Sequence, residues 1–242
     1  MTRGKGFPRV RPSGGKGISL MRSTFFSMLE RIPPREWHDL GIAWFAISLA
    51  FTVVFFRNGT AAEFLLAFGI SSAVMGVFLV FGVSSLTVGL GFILHELAHK
   101  FTALSYGYWA EFRKDNLMLL VAVAMAALAG IVFAAPGATV INSYSLSREQ
   151  NGRISASGPA MNLLLAIPFV ILAVFGGSPL RLIGVMGWQV NAMLASFNML
   201  PVGPLDGKKI LAWSPGIFGL LIGTAFVLLY LSFNPSVISG FL

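Results

Sequence analysis

The run DLGIAWFAISLAFTVVFF at 39–56 is apolar for long enough to cross a bilayer, and the chain makes several more like it. A spanning helix needs about 20 mostly apolar residues, because lipid offers no water to satisfy unpaired backbone groups. After the polar break RNGT, a second apolar stretch runs from Ala61 to Leu94. Further apolar segments cover 117–135, a span near 157–176, and spans at about 182–199 and 215–233. The 242 residues are 56% hydrophobic and 11% charged, against about 25% charged in soluble domains. The pattern predicts an all-α polytopic membrane protein, a helix bundle of about five to seven apolar segments.

The charges divide the chain. Of 17 Lys and Arg, eight fall in the first 35 residues, from Arg3 to Arg35. Residues 1–36 read as a basic, disordered cytoplasmic tail that touches anionic lipid and fixes topology, and 37–242 as the membrane domain. Nucleic-acid binding is the other reading of such a tail, and no nucleic-acid partner is expected. No cleavable signal peptide is visible, and Met21 is a candidate start. Lys100, Arg113 and Lys114, then Arg148 and Arg153, then Lys208 and Lys209 form the remaining clusters, with Arg181 apart. Placing all three on the cytoplasmic side with the N-terminus sends 39–56 out and brings a span ending near His99 back in. Spans 157–176, 182–199 and 215–233 then run out, in and out, and 61–75 need not cross. The segment 117–135 has cations on both flanks and is too short to cross twice at 1.5 Å per residue, so it is expected to dip and return. The rival is a seven-span protein in which one cluster breaks the rule.

One apolar run carries chemistry. HELAH at 95–99 puts His95 and His99 on one helix face, where both imidazoles can bind one metal ion, with Glu96 beside them to handle a water proton. Composition alone would produce such a motif on the order of 10⁻³ times in a chain like this, so the pattern is specific. The bland alternative is a histidine pair satisfied by neighbouring helices, or a proton relay in a transporter. A catalytic zinc wants three protein ligands and an open position. Of three aspartates, Asp39 and Asp115 sit at span ends, while Asp206 lies in FNMLPVGPLDGKKIL at 197–211. Asp206-Gly207 could be an ordinary turn. Its pairing with HELAH, on the side that Lys208 and Lys209 mark, makes it the third-ligand candidate.

HELAH together with Asn198, Pro201, Asp206 and Gly207 in N-x-x-P-x-x-x-x-D-G resembles the site-2 protease family of intramembrane zinc metalloproteases. The resemblance covers about 85–211. It implies one Zn²⁺ held by His95, His99 and Asp206, catalysis by Glu96, and a substrate that is a transmembrane helix of another protein in the bilayer. Asn198 matches a motif asparagine that positions substrate or transition state. SGPAMN at 157–162 resembles the Gly-Pro motif that opens the family's next core helix, and its Asn162 either lines the site or bonds another helix.

A helical substrate hides its carbonyls, so it must unwind, and an edge strand could hold the unwound peptide. The strand candidates are GATVINSY at 137–144 and GRISASG at 152–158, a small β-hairpin near the site. Their plain reading is a surface hairpin. Ser157 and Pro159 read as cap and first residue of a helix. Gly82, Gly89 and Gly91 read as helix-packing positions, Gln189 and Asn191 as packing or site residues, and Trp37-His38 as an interfacial anchor. The main alternative function is a metal or proton transporter or channel using the same polar residues, which predicts ion flux without proteolysis. The missing paired repeats argue against it. A non-catalytic relative acting as a binding partner is a third possibility, against which Glu96 stands.

Overall fold

The computed structural model describes residues 32–132, 136–142 and 146–234, so most of the basic tail expected at 1–36 lies outside the described residues. The membrane domain opens with α1 (Pro34–Arg57), followed by short α2 (Thr60–Ala67). Next come α3 (Ala73–Ser84) and α4 (Leu90–Ser105), joined through a π turn at Ser85–Gly89 into one 33-residue helix. Strand β1 (Trp109–Lys114), α5 (Asn116–Ala129) and β2 (Gly137–Asn142) follow, then α6 (Arg148–Phe175), α7 (Ser178–Asn198), α8 (Asp206–Trp213) and α9 (Pro215–Phe233).

Among the described residues, four helices are long and apolar enough to cross a membrane: Pro34–Arg57, Ala73–Ser105, Arg148–Phe175 and Pro215–Phe233. The expected span at 182–199 is also a helix, α7, of 21 residues. It falls outside that apolar group because it carries Arg181, Gln189, Asn191 and Asn198. Asn191 is turned fully inward, while Gln189 donates to the Ser232 carbonyl of α9 at 3.2 Å. The polarity of Gln189 and Asn191 is spent inside the bundle, while Arg181 near the helix start is exposed.

The π turn locks α1 to the long helix. A π turn leaves a carbonyl without its usual helical partner, and the Trp44 indole of α1 donates to the Ser85 carbonyl at 3.0 Å. The indole lies where a side chain on Gly89 would be, 1.9 Å from an added Cβ. Of the three glycines expected to let helices close, Gly89 and Gly91 do so, and Gly82 faces open space.

The β element differs from the expected hairpin. Strand 137–142 forms, but its antiparallel partner is β1, with Phe112 opposite Thr139. Segment 152–158 is helix instead. The Ser147 hydroxyl accepts the Gln150 amide while the Gln150 side chain accepts the Ser147 amide, a capping box that starts α6 at Arg148. This reciprocal cap outweighs the β preference of Ile154. The helix therefore begins well before Ser157, and Pro159 sits inside it.

The two strands are joined through α5. Its 14 residues, about 21 Å long, are too few to span about 30 Å of hydrocarbon. Lys114 pairs with Gly137, so the chain leaves the sheet, runs beside α1 and comes back to the sheet. Ala126 packs on Ala50 and Val54, and the Arg57 guanidinium donates to the Ala127 carbonyl at 2.6 Å. A cation at a helix C-terminus meets the negative end of its dipole. The excursion thus reaches the Arg57 end of α1 and returns to the sheet it left.

Strand register follows from two amides. The Phe112 amide donates to Glu36 of α1 at 3.0 Å, and the Asp115 amide donates to the Pro136 carbonyl at 3.0 Å. Hydrogen-bonded pairs alternate along an antiparallel ladder, so pairs 111/140 and 113/138 bond across the sheet. Pairs 110/141 and 112/139 turn their backbone groups outward. Glu36 occupies the outer edge of β1, and the outer edge of β2 carries the groups of Thr139 and Ile141.

Candidate metal centre

Four elements deliver the site. Helix α4 presents His95, Glu96 and His99, all buried, about 15 Å and 9 Å before its end for the two histidines at the helical rise. Helix α6 crosses behind them, α8 begins at Asp206, and β2 lies across the opening. The His95 Nε2 and His99 Nε2 are 3.0 Å apart, and Asp206 Oδ2 stands 3.5 Å from the first and 3.0 Å from the second.

The outer nitrogens fix how the rings face. His99 Nδ1 donates to the Ile154 carbonyl at 2.7 Å, and that oxygen can only accept. His95 Nδ1 meets Asn162 Oδ1 at 2.5 Å. The Asn162 amide nitrogen donates to the Gly91 carbonyl at 3.1 Å and to Asn191 Oδ1 at 3.2 Å, which settles the orientation of that amide. Both Nε2 atoms therefore turn inward as acceptors, the arrangement in which outer partners hold metal-ligating histidines.

Two lone pairs and a carboxylate pointing at one spot repel unless a cation sits between them. Without an ion, a proton on His99 relieves this repulsion: burial would raise the Asp206 carboxyl, but the charged imidazole beside it holds the group well below the usual carboxylate range. The ionised form is the one that ligates metal. Tetrahedral zinc with ligands near 2.0–2.2 Å separates its donors by ~3.3 Å, which the three observed distances bracket. Room is provided by Gly158: a Cβ there would lie 2.4 Å from His99 Nε2 and 2.6 Å from His95 Nε2. Three donors leave one tetrahedral position for water or substrate.

The pocket at this centre is lined by His95, Glu96, His99 and Asp206, by Phe51 and Phe92 on its apolar side, and by Thr139 of β2. The Thr139 hydroxyl lies 2.9 Å from Glu96 Oε2 and 3.1 Å from the Glu96 carbonyl. Asn198 reaches the same pocket, with its amide nitrogen donating to the Leu194 carbonyl at 3.0 Å. Asn162 stands behind His95 instead of on the pocket wall.

A protein of Methanocaldococcus jannaschii provisionally named zinc metalloprotease MJ0611 is 43% identical over 136 residues, covering 55% of this chain and 71% of that protein. The chain belongs to this family of zinc metalloproteases. YwhC of Bacillus subtilis, named in the same provisional way, is 27% identical over 143 residues, 52% of this chain and 65% of its own length. Zinc metalloprotease MJ0392 of M. jannaschii is 28% identical over 124 residues, 49% of this chain and 30% of its own. No family model matches the chain, and no solved structure matches it. Zinc is the metal of the family, and His95, His99 and Asp206 would hold it.

Two contributors to the centre belong to no motif: Thr139 reads only as a strand residue, and the Ile154 carbonyl does not stand out at all, since every residue has one. Gly158 belongs to SGPAMN, but nothing in that stretch says that its glycine clears space for the two imidazoles.

Proposed function

We propose that this chain is an intramembrane protease of the site-2 type, hydrolysing peptide bonds in or near the transmembrane segments of membrane-protein substrates. The observation that carries the proposal is a zinc-sized donor triangle of His95, His99 and Asp206, two corners of which, with Glu96 beside them, lie in the apolar helix Ala73–Ser105. In that role the bound zinc supplies Lewis acidity and lowers the pKa of water toward about 7. Glu96 takes the proton of the attacking water and passes it to the leaving amine. Asn198 orients the scissile peptide from the pocket wall. Asn162 acts through His95 by holding its ring.

The substrate must arrive unwound. The outward-facing backbone groups of Thr139 and Ile141 suit strand addition, and both residues line the pocket. Glu36 already engages the other edge of the sheet, which favours β2 as the docking edge. The active-site end is assigned to the cytoplasm because Lys100, Arg113, Lys114, Arg148, Arg153, Lys208 and Lys209 all belong to elements that meet there.

The test is cleavage of a model transmembrane substrate in proteoliposomes by wild type and Glu96→Gln. The variant keeps its zinc and loses cleavage; undiminished cleavage would remove Glu96 from the mechanism and the proposal with it.

A further inference from the structure

The general base of a hydrolase must aim one carboxylate oxygen at water, and nothing in the H-E-x-x-H pattern itself fixes the rotation of Glu96. Two observations supply what the motif omits. The Thr139 hydroxyl lies within hydrogen-bond distance of Glu96 Oε2, at 2.9 Å, and of the Glu96 carbonyl, at 3.1 Å. Thr139 also stands opposite Phe112 in a pair that does not bond across the sheet, so the Phe112 groups turn to Glu36 and those of Thr139 turn outward at the edge of β2.

We infer that Thr139 is the positioning residue for Glu96, tying the catalytic carboxylate to the strand edge on which substrate docks. The inference rests on the proteolytic reading above. The hydroxyl has one proton to give. Donated to Oε2, it leaves Oε1 as the free acceptor for the proton of the attacking water. It also pins the side chain against rotation about its terminal bond, which is broad and soft in glutamate. Because the same residue offers its backbone to the substrate, the distance from docked peptide to base is set within one residue. The neighbouring side chains on the sheet cannot substitute, since Ala138 has no hydroxyl and Val140 points to an exposed position.

The test compares Thr139→Val, which keeps the shape and removes the donor, with Thr139→Ser, which keeps the donor. With full-length, zinc-loaded protein and a model transmembrane substrate, Thr139→Val lowers kcat on the order of 10- to 100-fold, the scale of a small misplacement of a catalytic group. KM and zinc content stay at wild-type values, and Thr139→Ser restores most of kcat. Wild-type kcat in Thr139→Val, or equal impairment in Thr139→Ser, overturns the inference. A second measurement needs no activity. Thr139→Val lowers the melting temperature more when Glu96 is present than in a Glu96→Ala background. Equal shifts in the two backgrounds mean the hydroxyl serves only the backbone carbonyl, and the inference fails. If zinc-loaded wild type cleaves nothing, the proteolytic reading fails, while the melting comparison still decides whether Thr139 holds the Glu96 carboxylate.

Discussion

Lys100, the residue after His99, forms a buried ion pair with Glu36 from the first turn of α1. The other Glu36 oxygen takes the Phe112 amide at 3.0 Å. One carboxylate therefore joins α1, the metal-binding helix and the outer edge of the sheet. Removing one partner of such a pair leaves a charge stranded away from water, at a cost of about 3–5 kcal/mol. Glu36→Leu is expected to lower thermal stability by that order, and the double variant Glu36→Leu, Lys100→Met to recover part of it, as melting in detergent would measure. A double variant no more stable than the single one would mean the pair carries no special strain when broken.

Gly158 makes a sharper prediction, because its effect is steric. Gly158→Ala would place a methyl group within 2.6 Å of both ligand nitrogens. No real Cβ occupies such a distance, so either imidazole or metal must move. The variant folds, since alanine suits a helix better than glycine, and it should copurify with far less zinc than wild type. Metal analysis of the two proteins side by side checks this, and equal zinc would show that α6 shifts freely at this point.

Asn162 separates holding a ligand from being one. Asn162→Ala removes the acceptor behind His95 and should weaken zinc binding about 10- to 100-fold, the usual effect of losing an outer partner of a ligating histidine. Asn162→Asp keeps an acceptor at the same place and should bind zinc more nearly as wild type does. Competition with a zinc-binding dye reads both, and a full-strength Asn162→Ala site would assign the residue to helix packing alone.

The parts of this structure that were legible in the sequence are those where the cause is local. HELAH declares its shared face through helical spacing, and Asp206 through the prolines and cations around it. Strand β1 is hidden because Glu111, Arg113 and Lys114 look like a charged loop, although Ala110, Glu111 and Phe112 are all buried. Segment 152–158 looked like a strand because Ile154 and the flanking glycines suggest one, while the deciding signal, Ser147 with Gln150, lay upstream. The roles of Gly158, although SGPAMN contains it, and of Thr139 are hidden for a different reason. What each one does depends on atoms that α4 brings from about sixty and forty positions away, and no periodicity in their own segments records that meeting.

The path of α5 gives a prediction that needs no activity. The chain has no cysteine, so single introduced cysteines report sidedness without background. Asn116 and Asn142 flank the excursion at the sheet end, and both are exposed. Arg57, at the far end of α1, holds Ala127 near the turn of the excursion. Asn116→Cys and Asn142→Cys should therefore react with a membrane-impermeant thiol reagent from the same side, the side that labels Lys208→Cys. Asn58→Cys, one residue beyond α1, should react from the opposite side. Opposite labelling of positions 116 and 142 would mean that the segment crosses the bilayer. The β1–β2 pairing would then be impossible in the membrane, because Lys114 and Gly137 could not lie opposite each other across a bilayer.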